Sequence, residues 1–291
     1  MSLLNHLPPF ILGLIEPGIL LYLAIRAYTT LLLQGLLQNG HPPPSLRSKA
    51  FGKFWERISP VPDPAAPLIG SATLVPPLLT NATGTVLDVG PGNGSLIARF
   101  TPAAPHITHI YGAEPATALH KTLRTNADAS DLGRKYEILA ADATFPSIAR
   151  ELVRVGAITA PDDARGTFDT IVCVRVLCSV PDLRGTISDL YRLLKPGGKL
   201  LVCEHTANPW RTSKGSVIAR AMQTVYMLMG WSYFVGDCEL TRDIEDELRR
   251  DARGRWESVD VERHFGRAVF TYVSGVLVKK GRPNRAALVG H

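Results

Sequence analysis

The segment Val86–Gly94 (VLDVGPGNG) combines one carboxylate with three glycines. The apolar residues around Asp88 predict a buried strand, and the glycines let the chain turn sharply and approach a ligand closely. A helix that begins after such a turn presents free N–H groups and a positive dipole end to an anion. Asp88 would bind a cationic group. The segment therefore predicts a site for a small ligand with both an ammonium and a carboxylate, formed by Gly90, Pro91, Gly92, Asn93 and Gly94.

Two further acids follow predicted strands. Glu114 lies 22 positions after Gly92, where a carboxylate can accept both ribose hydroxyls of a nucleotide. Asp142 is placed to bind an adenine amino group, although capping of the next helix is an alternative. Because carboxyl ends of parallel strands form one crevice, these acids and the glycine loop together predict S-adenosylmethionine (SAM) as cofactor. The predicted cofactor set is completed by residues that also follow predicted strands: Pro115, Ala143 and Arg175.

A nicotinamide dinucleotide is the competing ligand. The dinucleotide fingerprint requires a third small residue at the position of Ser95, but the third glycine, Gly94, comes one residue earlier. The acidic Asp88 before the first glycine and the later turn Lys195–Gly198 (KPGG) also favour SAM. An NAD(P)-dependent oxidoreductase is retained as an alternative.

Alternating apolar runs and helical patterns predict an α/β fold with a mostly parallel sheet. A final antiparallel pair is expected at one edge of the sheet. The predicted strands are Thr85–Val89, Ile107–Ala113, Tyr136–Ala140, Phe168–Val174, Lys199–Glu204, Glu257–Arg263 and Val269–Lys279. The predicted helices are Ser95–Phe100, Thr117–Asn126, Phe145–Val155, Leu183–Leu194, Ser216–Met229 and one that Thr241 opens as N-cap.

The N-terminal segment Phe10–Leu37 is mostly apolar but carries Glu16, Pro17 and Arg26. It predicts either a membrane anchor, formed by two short helices broken at Pro17 and lying partly in the interface, or one helix that covers the substrate pocket. The prolines at 42–44 end it. The expected organisation is a hydrophobic segment (1–44), an amphipathic helix over 45–58 with a proline-rich connector at 60–67 (45–83 in all), a SAM-binding domain (84–280) and a flexible tail (281–291).

Composition limits the function classes. The formal net charge is +6, but the densest basic stretch, Arg249–Arg267, is interleaved with acids, so a solvated helix and loop is favoured over a nucleic-acid site. None of the four cysteines forms a CxxC pair. No metal site or disulfide framework is predicted, and a reducing, intracellular compartment is expected.

With these residues identified, the chain resembles the class I SAM-dependent methyltransferases, most closely the membrane-associated thiol methyltransferases of the methyltransferase-like group. The resemblance rests on Val176–Val180 (VLCSV), Leu194–Gly198, Glu204-His205 and Asp237–Arg242 (DCELTR). It implies a Rossmann-like, seven-stranded fold, methyl transfer to small lipophilic acceptors, and attachment to endoplasmic reticulum or lipid droplets. Two departures concern the acceptor pocket: the loop 156–167 is longer, and Gly236-Asp237 replaces the usual Asp-Gly. Methyltransferases of fungal polyketide pathways are also similar.

Methyl transfer requires mainly positioning, because the sulfonium is already an activated leaving group. His205 is the first candidate for a base or acceptor-orienting group, and Asp237 the second; each could instead serve only a local loop. The aromatic and methionine-rich stretch 226–234 is either core or pocket lining. The expected reaction is methylation of O or S on a small lipophilic acceptor, such as a secondary metabolite or alkyl thiol. The alternative is a SAM-binding, membrane-associated protein that transfers no methyl group or does not consume SAM.

Overall fold

The computed structural model describes residues 9–60, 68–251 and 254–281. The predicted proline-rich connector, apart from Pro60, and the predicted tail, apart from Gly281, lie outside the described residues. The strands are β1 (Gly84–Val89), β2 (Ile107–Ala113), β3 (Tyr136–Leu139), β4 (Phe168–Val174), β5 (Leu194–Thr206), β6 (Trp256–His264) and β7 (Thr271–Lys279). The α-helices are α1 (Pro9–Asn39), α2 (Leu46–Ile58), α3 (Val75–Leu79), α4 (His120–Asp128), α5 (Phe145–Arg154), α6 (Leu183–Leu193), α7 (Val217–Leu228), α8 (Trp231–Phe234) and α9 (Ile244–Asp251).

The strands form one seven-stranded sheet in the order β3-β2-β1-β4-β5-β7-β6. The first five strands are parallel, whereas β7 pairs antiparallel with both β5 and β6. This confirms the predicted Rossmann-like α/β fold with its antiparallel C-terminal edge. The chain moves outward from β1 through β2 to β3 and then returns to β4 on the other side of β1. The carboxyl ends of β1 and β4 thus flank the point where a parallel α/β sheet binds its ligand.

Adjacent residues of the central strands face opposite sides of the sheet, and each side has its own core. On β4, Ile171 packs in a cluster with α5, α6 and α9, whereas Val172 packs in a second cluster with α3 and α4. Both residues are buried. Because both faces are covered, a central strand carries consecutive apolar residues, such as Ile171–Val174 of β4, rather than a strict alternation. This burial on both sides holds the strands in place, so that the polar residues at their carboxyl ends lie at one edge of the sheet.

The segment after the glycine loop differs from the prediction. Instead of an α-helix over Ser95–Phe100, the chain forms a 3₁₀-helix over Ile97–His106 that contains Pro102 and Pro105. Proline has no N–H for the i→i−4 bond and crowds the preceding turn, so an α-helix cannot continue here. The predicted anion site at an α-helix N-terminus is therefore wrong in its detail.

Two further boundaries are corrected. Strand β5 begins at Leu194 and includes the KPGG residues, which were predicted to form a separate turn. Helix α9 begins at Ile244, and Asp243 rather than Thr241 caps it: the Asp243 carboxylate accepts a hydrogen bond from the N–H of Asp246 at 3.1 Å. An aspartate three positions before a free N–H is as good a cap as threonine.

The N-terminal segment is one continuous helix, α1, and is not broken at Pro17. The carbonyl of Gly13, which Pro17 cannot bond, instead accepts the N–H of Val269 at 3.2 Å. The Tyr226 hydroxyl on α7 donates to the Leu14 carbonyl at 2.9 Å. These two contacts attach α1 to the body of the protein at the proline, which is why a proline is tolerated there. Within α1, the stretch Ile11–Asn39 is long and apolar enough, by length and composition, to cross a membrane.

Candidate active site

The glycine loop lies at the carboxyl end of β1, as predicted. Gly90, Gly92 and Gly94 have φ values of +64°, +62° and +80°, a region that other residues rarely adopt. A Cβ atom on Gly90 would lie 2.6 Å from Val176 Cγ2, and one on Gly92 would lie 2.6 Å from Trp55 Nε1. Conformation and space therefore both require glycine at these positions.

Glu114 contacts the glycine loop directly. Its Oε2 accepts the Gly92 N–H and its Oε1 accepts the Ala116 N–H, both at 2.8 Å. The side chain is buried. Burial raises the pKa of Glu114, and the two N–H donors oppose that shift. The structure thus brings together Gly92, which was predicted to lie at the carboxylate end of the ligand, and Glu114, which was predicted to bind its ribose.

Asp88 is a buried carboxyl at the end of β1. It accepts a hydrogen bond from the Tyr136 hydroxyl at 2.9 Å. Burial raises the pKa of Asp88 to about 7; the Tyr136 hydrogen bond lowers it, and the nearby charge of Glu114 raises it further. Two buried carboxyl groups at neighbouring strand ends are a site that a cation would stabilise.

Helix α2 covers the loop, a contact that the sequence reasoning missed. The Asn93 side-chain amide donates to the Ser59 carbonyl at 2.7 Å, and the hydroxyls of Ser59 and Ser95 lie 2.8 Å apart. Trp55 stands over Gly92. The signal was available, since the aromatic spacing of 45–58 predicted an amphipathic helix, but nothing in it named the surface that the helix covers.

Between these elements lies a narrow cavity of about 20 Å³ that is partly open to solvent. Asp88, Gly90, Pro91 and Gly94 line it together with Arg175 from the end of β4, so five of the predicted cofactor residues share one space. Arg175 has a left-handed backbone (φ +60°) and its N–H donates to the Cys203 carbonyl at 3.0 Å. Val174 and Trp55 also contribute to the lining.

The remaining predicted cofactor residues lie apart from the lining of this cavity. Oδ1 of Asp142 accepts the N–H and hydroxyl of Thr144, at 3.0 and 2.6 Å, just before α5. The alternative role of Asp142, organising a helix start, is thus the one its contacts describe. Pro115 is exposed and Ala143 is buried. Adenine or ribose contacts by Asp142, Pro115 and Ala143 stay predictions.

The two predicted catalytic residues occupy different environments. Asp237 is exposed, with 63% of its side chain accessible, and forms an ion pair with Arg47 of α2. Its backbone is left-handed (φ +62°). His205, in contrast, is buried at the end of β5. The structure therefore does not bring Asp237 and His205 to one site, and Asp237 instead connects its loop to α2.

His205 lies in a cluster with two cysteines. Its Nε2 is 3.0 Å from Cys238 Sγ, and the Trp231 indole N–H donates to the same sulfur at 3.0 Å. The ligand atoms of Cys178, His205 and Cys238 all lie within 4.8 Å of one another, and all three residues are buried. Sequence spacing did not reveal this cluster, because 60 residues separate the cysteines. Both cysteines do belong to the segments that carried the family resemblance.

Glu204 is a third buried acid, and it was not predicted as a site residue. Its Oε1 accepts the N–H groups of Val176 and Leu177 at 2.9 and 3.0 Å. Its Oε2 is buried and has no hydrogen-bond partner within the described ranges. Burial raises the pKa of Glu204 to about 7, against the two N–H donors. Glu204 fixes the backbone that leads from Arg175 to Cys178.

The charges at the loop fit SAM. The buried Asp88 and Glu114 are acidic and Arg175 is basic, whereas SAM carries a sulfonium, an ammonium and a carboxylate. The site and the ligand therefore have complementary charge sets.

Comparison with known proteins decides the family. A family model described as a methyltransferase domain matches residues 67–264. The chain belongs to this methyltransferase family. Its cofactor is SAM, as the loop and its acids predicted, and the alternative of an NAD(P)-dependent oxidoreductase is set aside.

Individual relatives with similar sequences are also methyltransferases. Thiol S-methyltransferase TMT1B of Homo sapiens is 34% identical over 191 residues, which cover 64% of this chain and 66% of that protein. The Rattus norvegicus protein of that name is 32% identical over 98 residues, 32% of this chain and 38% of that protein. The matches thus span less than two thirds of these relatives.

Solved structures show the same fold. An O-methyltransferase family protein from Burkholderia thailandensis has a TM-score of 0.53 at 18% identity, covering 94% of this chain and 72% of that one. The [4+2]-cyclase SpnF has a TM-score of 0.53 at 16% identity, covering 80% and 96%. At these identities the likeness concerns the fold alone.

Proposed function

We propose that this methyltransferase transfers the methyl group of SAM to a heteroatom of a small lipophilic acceptor, with an alkyl thiol as the preferred class. The observation that carries the donor side is the cavity at the ends of β1 and β4, lined by Asp88, the glycine loop and Arg175. The similarity to a thiol S-methyltransferase over 191 residues supports sulfur as the methylated atom. An oxygen acceptor, such as a phenolic secondary metabolite, is the second candidate.

The residues of this chain would position SAM and the acceptor and would shield them from water. When bound, SAM supplies an electrophilic methyl group on a sulfonium that is ready to leave. Asp88 and Arg175 would fix the charged methionine end, and Glu114 would orient the nucleoside end. Trp55 covers the loop and would exclude water. Correct placement of two reactants can contribute about 7–11 kcal/mol to a barrier, so positioning is an adequate mechanism.

The surroundings of His205 support a lipophilic acceptor. Its ring lies 6.0 Å from that of Phe270 and 6.4 Å from that of Tyr272, and Phe270 also contacts Trp231. The Nδ1 atom is buried and has no hydrogen-bond partner within the described chain. In the proposal this nitrogen orients the acceptor. A thiol, with an ordinary pKa near 8.5, needs little help from a base, whereas a phenol near 10 needs more.

The test is transfer of a labelled methyl group from SAM to a panel of alkyl thiols and matched phenols. Labelled thioethers would support the proposal, and labelled aryl ethers alone would move it to oxygen. Tight SAM binding without transfer to any member would instead support the alternative of a SAM-binding protein that does not consume SAM. Calorimetry with SAM and with NADH, run first, separates a failed donor site from a wrong acceptor.

A membrane surface is the proposed site of action. Apolar side chains are exposed on α1, among them Tyr22 (62%) and Leu37 (86%), and on α7, among them Ile218 (64%) and Leu228 (83%). The two helices pack together through Tyr226. Such a surface fits the interface of an intracellular membrane, such as endoplasmic reticulum or a lipid droplet, where lipophilic acceptors concentrate.

A further inference from the structure

The cluster of Cys178, His205 and Cys238 is built from three separate parts of the chain. Cys178 lies in the loop after β4, His205 lies near the end of β5, and Cys238 lies between α8 and α9. Three ligand-type atoms from distant segments converge within 4.8 Å in the buried interior. The other two cysteines, Cys173 and Cys203, are buried in strands and do not join the cluster.

The types of the three residues indicate which kind of metal ion they would bind. Two thiols and an imidazole form a donor set that binds zinc and other soft divalent metals, whereas calcium and magnesium require oxygen ligands. A tetrahedral zinc ion with ordinary bond lengths places a sulfur and a nitrogen ligand about 3.5 Å apart and two sulfurs about 3.8 Å apart. The observed span of the cluster accommodates this with small side-chain movements.

Charge and hydrogen bonding also fit a metal. Binding of Zn²⁺ releases one proton from each thiol, so two thiolates and a neutral imidazole give a complex without net charge, which the interior tolerates. The Trp231 indole N–H already donates to Cys238 Sγ at 3.0 Å. Such a donor to a ligand sulfur is the type of neighbour that orients and stabilises a metal thiolate.

We propose that Cys178, His205 and Cys238 bind one zinc ion, with a fourth position left for water or an exogenous ligand. The ion joins the loop after β4, the end of β5 and the 235–240 segment, which carry the residues around the proposed acceptor site. His205 uses Nε2 for the metal, the atom that already faces Cys238, and Nδ1 stays available to the acceptor. A zinc site with three protein ligands is the kind that retains an open position.

The first test is metal analysis of the full-length chain, purified in detergent with a tag that contains no histidine, under reducing conditions and without chelator. Inductively coupled plasma mass spectrometry is expected to find about one zinc ion per chain. After removal of zinc, added Co²⁺ is expected to produce thiolate-to-cobalt charge-transfer bands and the visible bands of tetrahedral cobalt. This second measurement needs no variant, so it decides the proposal even where substitutions prevent folding.

The variants Cys178→Ser and Cys238→Ser are expected to reduce zinc occupancy at least tenfold. The matched control is Cys173→Ser, which makes the same change at a buried cysteine outside the cluster and is expected to retain zinc. Two results would overturn the proposal: a wild-type protein that binds neither zinc nor cobalt through sulfur, or equal metal content in wild type and Cys238→Ser. None of these measurements depends on which acceptor is methylated.

Discussion

Asp88 and Glu114 place two carboxyl groups at neighbouring strand ends, and the energetic cost falls on Asp88. Its pKa is raised to about 7, first by burial and then by the charge of Glu114. A carboxyl in this state is half protonated near neutral pH and gains most from a cationic partner. The raised pKa of Asp88 therefore predicts that cofactor binding depends on pH.

We expect the affinity for SAM to rise with pH up to about 7 and then to level off. Below that pH the free protein must lose the Asp88 proton on binding a cation, which costs up to about tenfold in affinity per pH unit. Calorimetry between about pH 5.5 and about pH 7.5 keeps the ammonium of SAM largely protonated. In Asp88→Asn, binding should be weaker and nearly independent of pH. A wild-type affinity that is flat across this range would contradict the assignment.

Glu114→Ala is expected to weaken SAM binding at least tenfold, or about 1.4 kcal/mol. The substitution removes the proposed ribose acceptor and also releases the N–H groups of Gly92 and Ala116. Calorimetry gives the affinity, and thermal unfolding separates a local loss from general destabilisation. Glu114→Gln is the matched control, because its amide oxygen can still accept one of the N–H groups. Its affinity for SAM should lie between those of wild type and Glu114→Ala. An affinity within twofold of wild type in Glu114→Ala would exclude the ribose role.

At the scale of elements, α2 is held over the glycine loop from both ends. At one end Asn93 and Ser95 bond Ser59, and at the other Arg47 contacts Asp237 and the carbonyls of Ser232 and Tyr233. Asp237 thus belongs structurally to the cover of the cofactor site. Whether it also acts on the acceptor is a question that a paired substitution can answer.

We expect Asp237→Asn and Arg47→Gln each to cost less than about 1 kcal/mol of stability, because the pair is largely exposed. The double variant should show a small favourable coupling between the two side chains. Transfer to an alkyl thiol by Asp237→Asn should stay within about twofold of wild type, since no base is then removed. Conversely, a tenfold loss of kcat in Asp237→Asn, with Arg47→Gln near wild type, would establish the catalytic role that the sequence suggested.

Sequence reasoning succeeded wherever burial on both faces sets the pattern. Strand β4 was predicted at its observed bounds, because the consecutive apolar residues Ile171–Val174 mark a central parallel strand. It failed where a tertiary contact replaces a local rule. The missing Pro17 hydrogen bond is compensated by Val269, some 250 residues away, and no local pattern reports such a partner.

The site follows the same division. The loop, Asp88 and Glu114 could be predicted because each lies at the end of a strand whose position the apolar pattern fixes. The cover by Trp55 and the cluster of Cys178, His205 and Cys238 depend on how distant segments pack, which spacing along the chain does not encode. Asp142 shows the limit within a single loop, since a carboxylate before a helix serves a cap as readily as a ligand.

In the whole molecule, the N-terminal helix α1 has one face in the core and another face that is exposed. One face of α1 is part of the core, where Leu21 and Ala24 are almost fully buried. The opposite face exposes apolar residues, including Leu33 (57%) and Leu37 (86%). Deleting residues 1–40 would therefore remove the proposed membrane surface and also open the core, so loss of membrane binding in that deletion would not separate the two effects.

A sharper experiment changes only the exposed face. Leu33 and Leu37 are four residues apart and so lie on the same side of the helix. We expect Leu33→Glu with Leu37→Glu to reduce co-flotation with phosphatidylcholine vesicles at least tenfold, because burying two apolar side chains in lipid contributes about 1.5–3 kcal/mol each and the new charges oppose insertion. Thermal unfolding should stay near wild type, since neither side chain packs in the core.

The control for added charge is Gln38→Glu, which places an acid on the exposed end of the same helix without removing an apolar group. It should float like wild type. A parallel variant, Leu228→Glu, tests whether α7 also contacts the membrane. Reduced flotation of this variant would show that the membrane contact extends beyond α1. If the Leu33 and Leu37 variant floats as well as wild type, the exposed face is not the membrane contact, and α1 serves the fold alone.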